Sequence, residues 1–303
     1  MFTRFLLAAF LHLALLALPL AAQTTWLISN TTNIGGNVVT KLGNPQVIST
    51  PYGDAVQFNG INDGLIVSNN PLAGMTNLTA ELIFQHYPLT VASAWQPRIV
   101  HIEAPGATYR LTLETRVSTN TTPQMFLLDT FLRFGSTSGY SLTLSNAGFS
   151  HPVGDWSHMA ITYDGTNFKN YVNGRLEKSG PMSGLVFAAG GTTTIGQRNN
   201  NTNYFEGAAL ALRFTPRVLS TNEFMCIPKT LLRTPQLSNG QAQLDFALTA
   251  GLPIGFTLLQ ADTAGEIWTV NSSAVLATNS EGVSYRFTTP VGNSNRFFRV
   301  RWP

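Results

Sequence analysis

Trp156-Ser157-His158-Met159-Ala160-Ile161-Thr162-Tyr163 reads as a strand, turns at Asp164-Gly165, returns through Phe168 to Val172 and stops at Asn173-Gly174. Asp-Gly and Asn-Gly tolerate the positive φ that tight turns demand, so the stretch predicts a β-hairpin. The same periodicity extends outward in both directions. Ala55-Val56-Gln57-Phe58 and Gly64-Leu65-Ile66-Val67 flank the turn-rich Asn59-Gly60-Ile61-Asn62-Asp63. Thr79 to Gln85, Arg98 to Glu103, Tyr109 to Val117 and Met125 to Phe134 follow as further strands. No amphipathic helix of three turns interrupts them. Many short strands at regular spacing predict an all-β sandwich or jelly roll.

Composition agrees. Charged residues are 11% of the 303, against roughly 25% in ordinary soluble proteins, while hydrophobic residues keep a normal 44%. So little charge excludes coiled coils and helical bundles, which need Glu, Lys and Arg on their wet faces. Sustained apolar content excludes disorder. Net charge is +3 with no basic run, which argues against nucleic acid as a partner.

Residues 1–22 read as an export signal: Arg4, an apolar run from Phe5 to Leu18, then small residues up to Ala22. Cleavage near Ala22 predicts a secreted, cell-surface or periplasmic protein. No later segment approaches the ~20 apolar residues of a membrane helix. Cys226 is the single cysteine, so no internal disulfide forms, and between Met225 and Ile227 it reads as a small buried hydrophobe. Proline-bracketed residues 227–240 read as a linker. Residues 23–226 then form one large β-domain and 241–303 a small one.

Four ordered motifs carry a resemblance. Gly53 to Gly64 resembles the opening motif of laminin-G-like, concanavalin-A-like jelly rolls of exported bacterial proteins. Trp156 to Ala160 with Tyr163-Asp164-Gly165 and Tyr171-Val172-Asn173-Gly174 is similar to that family's central hairpin. Thr194-Ile195-Gly196, and Phe205-Glu206-Gly207 through Arg213 to Leu219-Ser220, are similar to its closing strands. Many relatives carry Asp-Glu in the last strand, where this chain has Leu210-Ala211. The C-terminal segment resembles immunoglobulin- or fibronectin-like modules. The resemblance implies a concanavalin-A-like jelly roll followed by a small β-sandwich. It leaves function open among lectins, adhesion modules and carbohydrate-active enzymes.

With charge so scarce, charges inside strands stand out: Glu81, Arg98, His101, Glu103, Arg110, Glu114, Arg116 and Asp129. Side chains alternate along a strand, so Arg110, Glu114 and Arg116 share a face. One reading is a polar groove in which Arg98, His101, Glu114, Arg116 and Asp129 meet a glycan, arginine recognising acidic sugar groups. The other is a set of ion pairs between neighbouring strands. Loop aromatics Trp95, Tyr140 and Tyr204 are candidate ring platforms for sugars, with Tyr204 after the Asn199-Asn200-Asn201 loop. Trp26, Trp156 and Trp268 read as core. Asp54, Asp63 and Asp164 are candidate calcium ligands, although Asp also favours such turns for local hydrogen-bonding reasons.

Three functions follow. The first is a non-catalytic carbohydrate-binding or adhesion module for an extracellular polysaccharide or cell-surface glycan. The second is a polysaccharide lyase or glycoside hydrolase using His101, Glu114, Arg116 and Arg98. The third is a structural, protein-binding component of the cell surface. Glu-x-Asp-x-Glu, nucleophile elbows, phosphate loops and His-x-x-x-His pairs do not occur in the chain.

Overall fold

The computed structural model describes residues 23–303 except 51, 108, 136–140, 186, 188, 226, 228–230, 233–234, 248–255, 264–266, 281–283, 293–295 and 302–303. The export-signal segment, Tyr140 and Cys226 therefore lie outside the described residues. Two large sheets form a jelly-roll sandwich. One orders its strands Arg175–Pro181, Asn167–Val172, Trp156–Tyr163, Leu78–His86, Glu206–Thr215, Gly53–Asn59 and Gln46–Thr50, with Thr24–Leu27 also beside Glu206–Thr215. The nine-stranded sheet runs Ser141–Ser145, Met125–Phe134, Tyr109–Ser118, Arg98–Glu103, Thr192–Ile195, Gly64–Val67, Asn37–Leu42 and Asn33–Ile34, with His151–Pro152 beside Met125–Phe134. Among the described residues the only helical turns are short 3₁₀ segments.

The hairpin read from sequence forms as expected. Met159 pairs with Val172 and Tyr163 with Phe168. Asp164 Oδ1 accepts the backbone N–H groups of Thr166 and Asn167 at 2.9 and 2.7 Å, which fixes the turn. The next turn places Asn173 and Gly174 at φ 48° and 79°, a conformation that favours this residue pair. Gly53–Asn59 and Gly64–Val67, by contrast, lie in different sheets, so Asn59-Gly60-Ile61-Asn62-Asp63 is a crossover around the sandwich edge.

Inward side chains of the two sheets interdigitate. Phe58, Leu82 and Phe84 from one meet Val100, Leu111, Leu113 and Leu128 from the other. Trp26 is buried edge-to-face on Phe214, with ring centroids 5.4 Å apart. Trp156 and Trp268, read as core, are only half-buried: Trp156 stands beside Tyr52, and Trp268 lies 5.7 Å beneath the Arg299 guanidinium.

Beyond residue 230 the chain builds a five-stranded and a three-stranded sheet. Leu231–Leu232 and Gln236–Ser238, inside the stretch read as a linker, both pair with Gln241–Ala247. Leu210 and Ala211 belong to an apolar cluster that continues through Met225 to Leu244, Phe246 and Phe287. Charged side chains there would be buried among apolar groups, so the apolar pair has a packing reason.

Candidate functional site

The outer face of the nine-stranded sheet carries most of the in-strand charges. Along Tyr109–Ser118, Leu111, Leu113 and Val117 point into the core, which leaves Arg110, Thr112, Glu114 and Arg116 on the other face. Strict alternation along Arg98–Glu103 would put Arg98 opposite His101. A β-bulge between Arg98 and Val100 prevents this. Ile99 and Val100 both enter the core, and Arg98 returns to the face of His101 and Glu103.

Register then decides the partners. Arg98 pairs across the strands with Glu114, and Glu103 with Arg110. Arg98 Nε lies 2.6 Å from Glu114 Oε2. Glu103 Oε2 accepts from Arg110 Nε at 2.7 Å and from His101 Nε2 at 2.9 Å, and its Oε1 accepts from Asn199 Nδ2 at 2.8 Å. Farther along, Asp129 Oδ2 accepts from Arg116 Nε at 2.7 Å and from Gln96 Nε2 at 2.8 Å. The reading of ion pairs between neighbouring strands thus describes how these charges are held.

At the centre is a pocket of about 100 Å³ lined by Arg98, His101, Arg110, Thr112, Glu114, Phe131 and Arg198. Arg198 comes from the loop after Thr192–Ile195, which is pinned by backbone bonds between Arg198 and Thr202 at 2.9 Å and from Asn201 to Arg198 at 3.1 Å. Among the described residues its guanidinium makes no ion pair. Burial, reinforced by Arg110 and Arg98, lowers its pKa. Burial pushes Glu114 up to about 7, with the Arg98 charge opposing and Asp129 adding to the rise. For Glu103 burial works upward too, but the hydrogen bonds from His101 and Arg110 prevail and bring it down to about 2. Burial lowers His101, against the pull of Glu103, so its ring is neutral at pH 7. The neutral ring donates through Nε2, and its buried Nδ1 has no partner among the described residues.

The structure therefore brings Arg98, His101 and Glu114 around one pocket. Arg116 and Asp129 sit farther along the same face, and Asp129 is buried. Tyr204 is half-buried and does not line the pocket, while Trp95, in a 3₁₀ turn of the neighbouring loop, is exposed. Sequence reasoning missed Arg198, whose only signal was one cation in an Asn-rich loop. Of the three loop acids, Asp63 accepts the N–H groups of Asn44 and Asn59 at 2.7 and 3.1 Å. Asp164 caps its own turn and Asp54 is exposed on a strand. Among the described residues no three metal-ligating side chains gather. Local hydrogen bonding accounts for Asp63 and Asp164.

The model of the laminin-G-like family, described as the concanavalin A-like lectin/glucanases superfamily, matches residues 59–224. The chain belongs to the concanavalin A-like lectin/glucanase superfamily. No curated protein sequence matches it. Among solved structures, domain 4 of AbnA, a GH43 extracellular arabinanase from Geobacillus stearothermophilus in complex with arabinotriose, is similar. The identity is 19%, with 67% of this chain and 94% of that chain covered, at a TM-score of 0.47. The binding domain of botulinum neurotoxin DC in complex with SialylT is similar at 12% identity, with 79% and 74% covered and a TM-score of 0.48. In this lectin/glucanase chain the pocket opens on the sheet face that does not meet the C-terminal apolar cluster.

Proposed function

We propose that this protein is an exported carbohydrate-binding or adhesion module that recognises an acidic extracellular polysaccharide or cell-surface glycan. The supporting observation is the pocket's charge. Three arginines, 98, 110 and 198, line it with a single carboxyl, Glu114, which is half-protonated near pH 7. A volume of about 100 Å³ is well below the ~300–1,000 Å³ of ordinary small-molecule sites. It suits a carboxylate or sulfate substituent rather than a whole sugar ring. Arg198 supplies the unpaired planar fork that such a group prefers. Among the described residues no helix is long and apolar enough to cross a membrane.

The test is co-elution of residues 23–303 with a panel of uronic-acid, sulfated and neutral polysaccharides in size-exclusion chromatography. Co-elution with acidic polymers of unchanged length is expected. Arg198→Ala should weaken it ~10–100-fold, as loss of one charge-assisted bond implies. Binding confined to neutral polymers, or untouched in Arg198→Ala, would remove the arginine pocket from the reading.

Protonation adds a second expectation. Glu114 loses its negative charge as pH falls through about 7, while sugar carboxylates stay ionised, so the pocket grows more positive. Affinity for an acidic polymer should rise roughly tenfold from pH 8 to 5.5 and stay flat in Glu114→Gln. A wild-type profile equally flat would contradict this.

A second reading, a lyase or hydrolase, is favoured by one feature. A carboxyl titrating near neutrality beside an imidazole is an arrangement suited to proton transfer. Shortening of the polymer in the same experiment, abolished in His101→Ala, would establish it.

A further inference from the structure

A second pocket, of about 310 Å³, lies where the start of Trp156–Tyr163 adjoins His151–Pro152. Tyr52, His151, Asp155, Trp156, Asn173 and Ile227 are among the side chains that line it. The Tyr52 and Trp156 rings meet at 77° with centroids 6.0 Å apart, forming two aromatic walls. The His151 ring is held by Glu177 Oε1 at 2.5 Å and packs 5.2 Å from Phe126. Asn173 Oδ1 accepts the backbone N–H of His158 at 2.9 Å, which fixes the amide. That bond leaves Nδ2 as a donor. Asp155 is exposed, and its carboxylate has no hydrogen-bond partner among the described residues. The pocket is thus more than twice as large as the arginine pocket, is walled by aromatic rings, and has a carboxylate as its only fixed charge.

We infer that this pocket is a binding site for a neutral sugar ring. Its volume falls within the ~300–1,000 Å³ of ordinary small-molecule sites. The choice of ligand rests on matching donors and acceptors. Asp155 only accepts, whereas Asn173 Nδ2 and the Trp156 indole N–H only donate. A sugar hydroxyl does both, so neighbouring hydroxyls satisfy the carboxylate and the donors together, while the C–H face of the ring covers an aromatic wall. An alkylammonium group would suit the rings and the carboxylate but would leave the donors unmatched. An acidic sugar would be repelled by Asp155. The site is independent of the arginine pocket and stands whether or not that pocket binds glycan.

Residues 23–303 would be titrated with neutral trisaccharides of glucose, galactose, mannose, xylose and arabinose, followed by calorimetry and tryptophan fluorescence. Tetramethylammonium chloride and a trigalacturonate serve as comparison ligands. At least one neutral trisaccharide is expected to saturate, with affinity reduced tenfold or more in Asp155→Ala and unchanged in Arg198→Ala. Asp155 is exposed and unpaired, so its removal should leave the fold intact, which circular dichroism would check. Asn173→Gly keeps the positive-φ turn, removes the amide donor and should weaken binding in parallel. No saturation by any neutral trisaccharide, saturation by tetramethylammonium or trigalacturonate alone, or binding unchanged in Asp155→Ala would overturn the assignment.

Discussion

Between pH 8 and pH 3 the stability of the wild-type protein should fall by about 4 kcal/mol relative to a His86→Phe/Thr115→Val variant. His86 is fully buried among Phe84, Phe126 and Phe205, at ring-centroid distances of 5.6, 5.1 and 5.1 Å, and its Nε2 is 2.8 Å from Thr115 Oγ1. Burial takes its pKa from 6.5 to about 3. The unfolded chain therefore takes up a proton below pH 6.5, and the folded chain does so only near pH 3. Stability associated with the neutral ring is complete above 6.5 and is lost as pH falls toward 3. Glu114 acts in the opposite sense: its raised pKa favours the folded state as pH falls from about 7 to 4.5. A single acid titration mixes the two, which is why the comparison with the double variant is the informative one. Replacing both partners avoids leaving the Thr115 hydroxyl buried and alone. Denaturant unfolding of both proteins at several pH values supplies the measurement. A difference independent of pH would mean that His86 titrates alike in the folded and unfolded chains.

Glu81→Ala is expected to cost about 3–5 kcal/mol, which corresponds to a Tm lowered by roughly 6–20 °C in a chain of this size. Glu81 and Arg213 are register partners on adjacent strands and both are buried. Glu81 Oε2 takes Arg213 Nε at 2.5 Å, and its Oε1 takes the Met225 N–H at 2.6 Å and His158 Nε2 at 3.1 Å. Burial alone would raise the Glu81 pKa, but the bonds from His158 and Arg213 hold it below the usual carboxylate value. Removing the carboxylate leaves a guanidinium buried without its counter-charge, and that is the larger part of the loss. Glu81→Ala/Arg213→Met should therefore recover much of it. Calorimetry of the wild type, the single variant and the double variant closes the comparison. A double variant no better than the single one would place the loss in the Met225 and His158 contacts.

The sequence determined what depends on neighbours along the chain. Asp164-Gly165 and Asn173-Gly174 set their own turns through side-chain hydrogen bonds and positive φ, so the hairpin was legible. Alternation placed Arg110, Glu114 and Arg116 on one face, and the scarcity of charge singled them out. The tertiary structure decided what depends on distant segments. Period-two reading puts Arg98 opposite His101, and only the bulge forced by burying both Ile99 and Val100 reunites them. Glu81 was visible as an in-strand charge, but its partner Arg213 lies 132 residues away and is chosen by strand register. Arg198 reaches the pocket because backbone bonds fold its loop over the sheet, and Trp156 leaves the core to stand against Tyr52. Local pattern encodes which face a side chain takes within an unbroken strand. Bulges, register and loop placement are set by how the whole sandwich packs, and they decide which of those side chains meet.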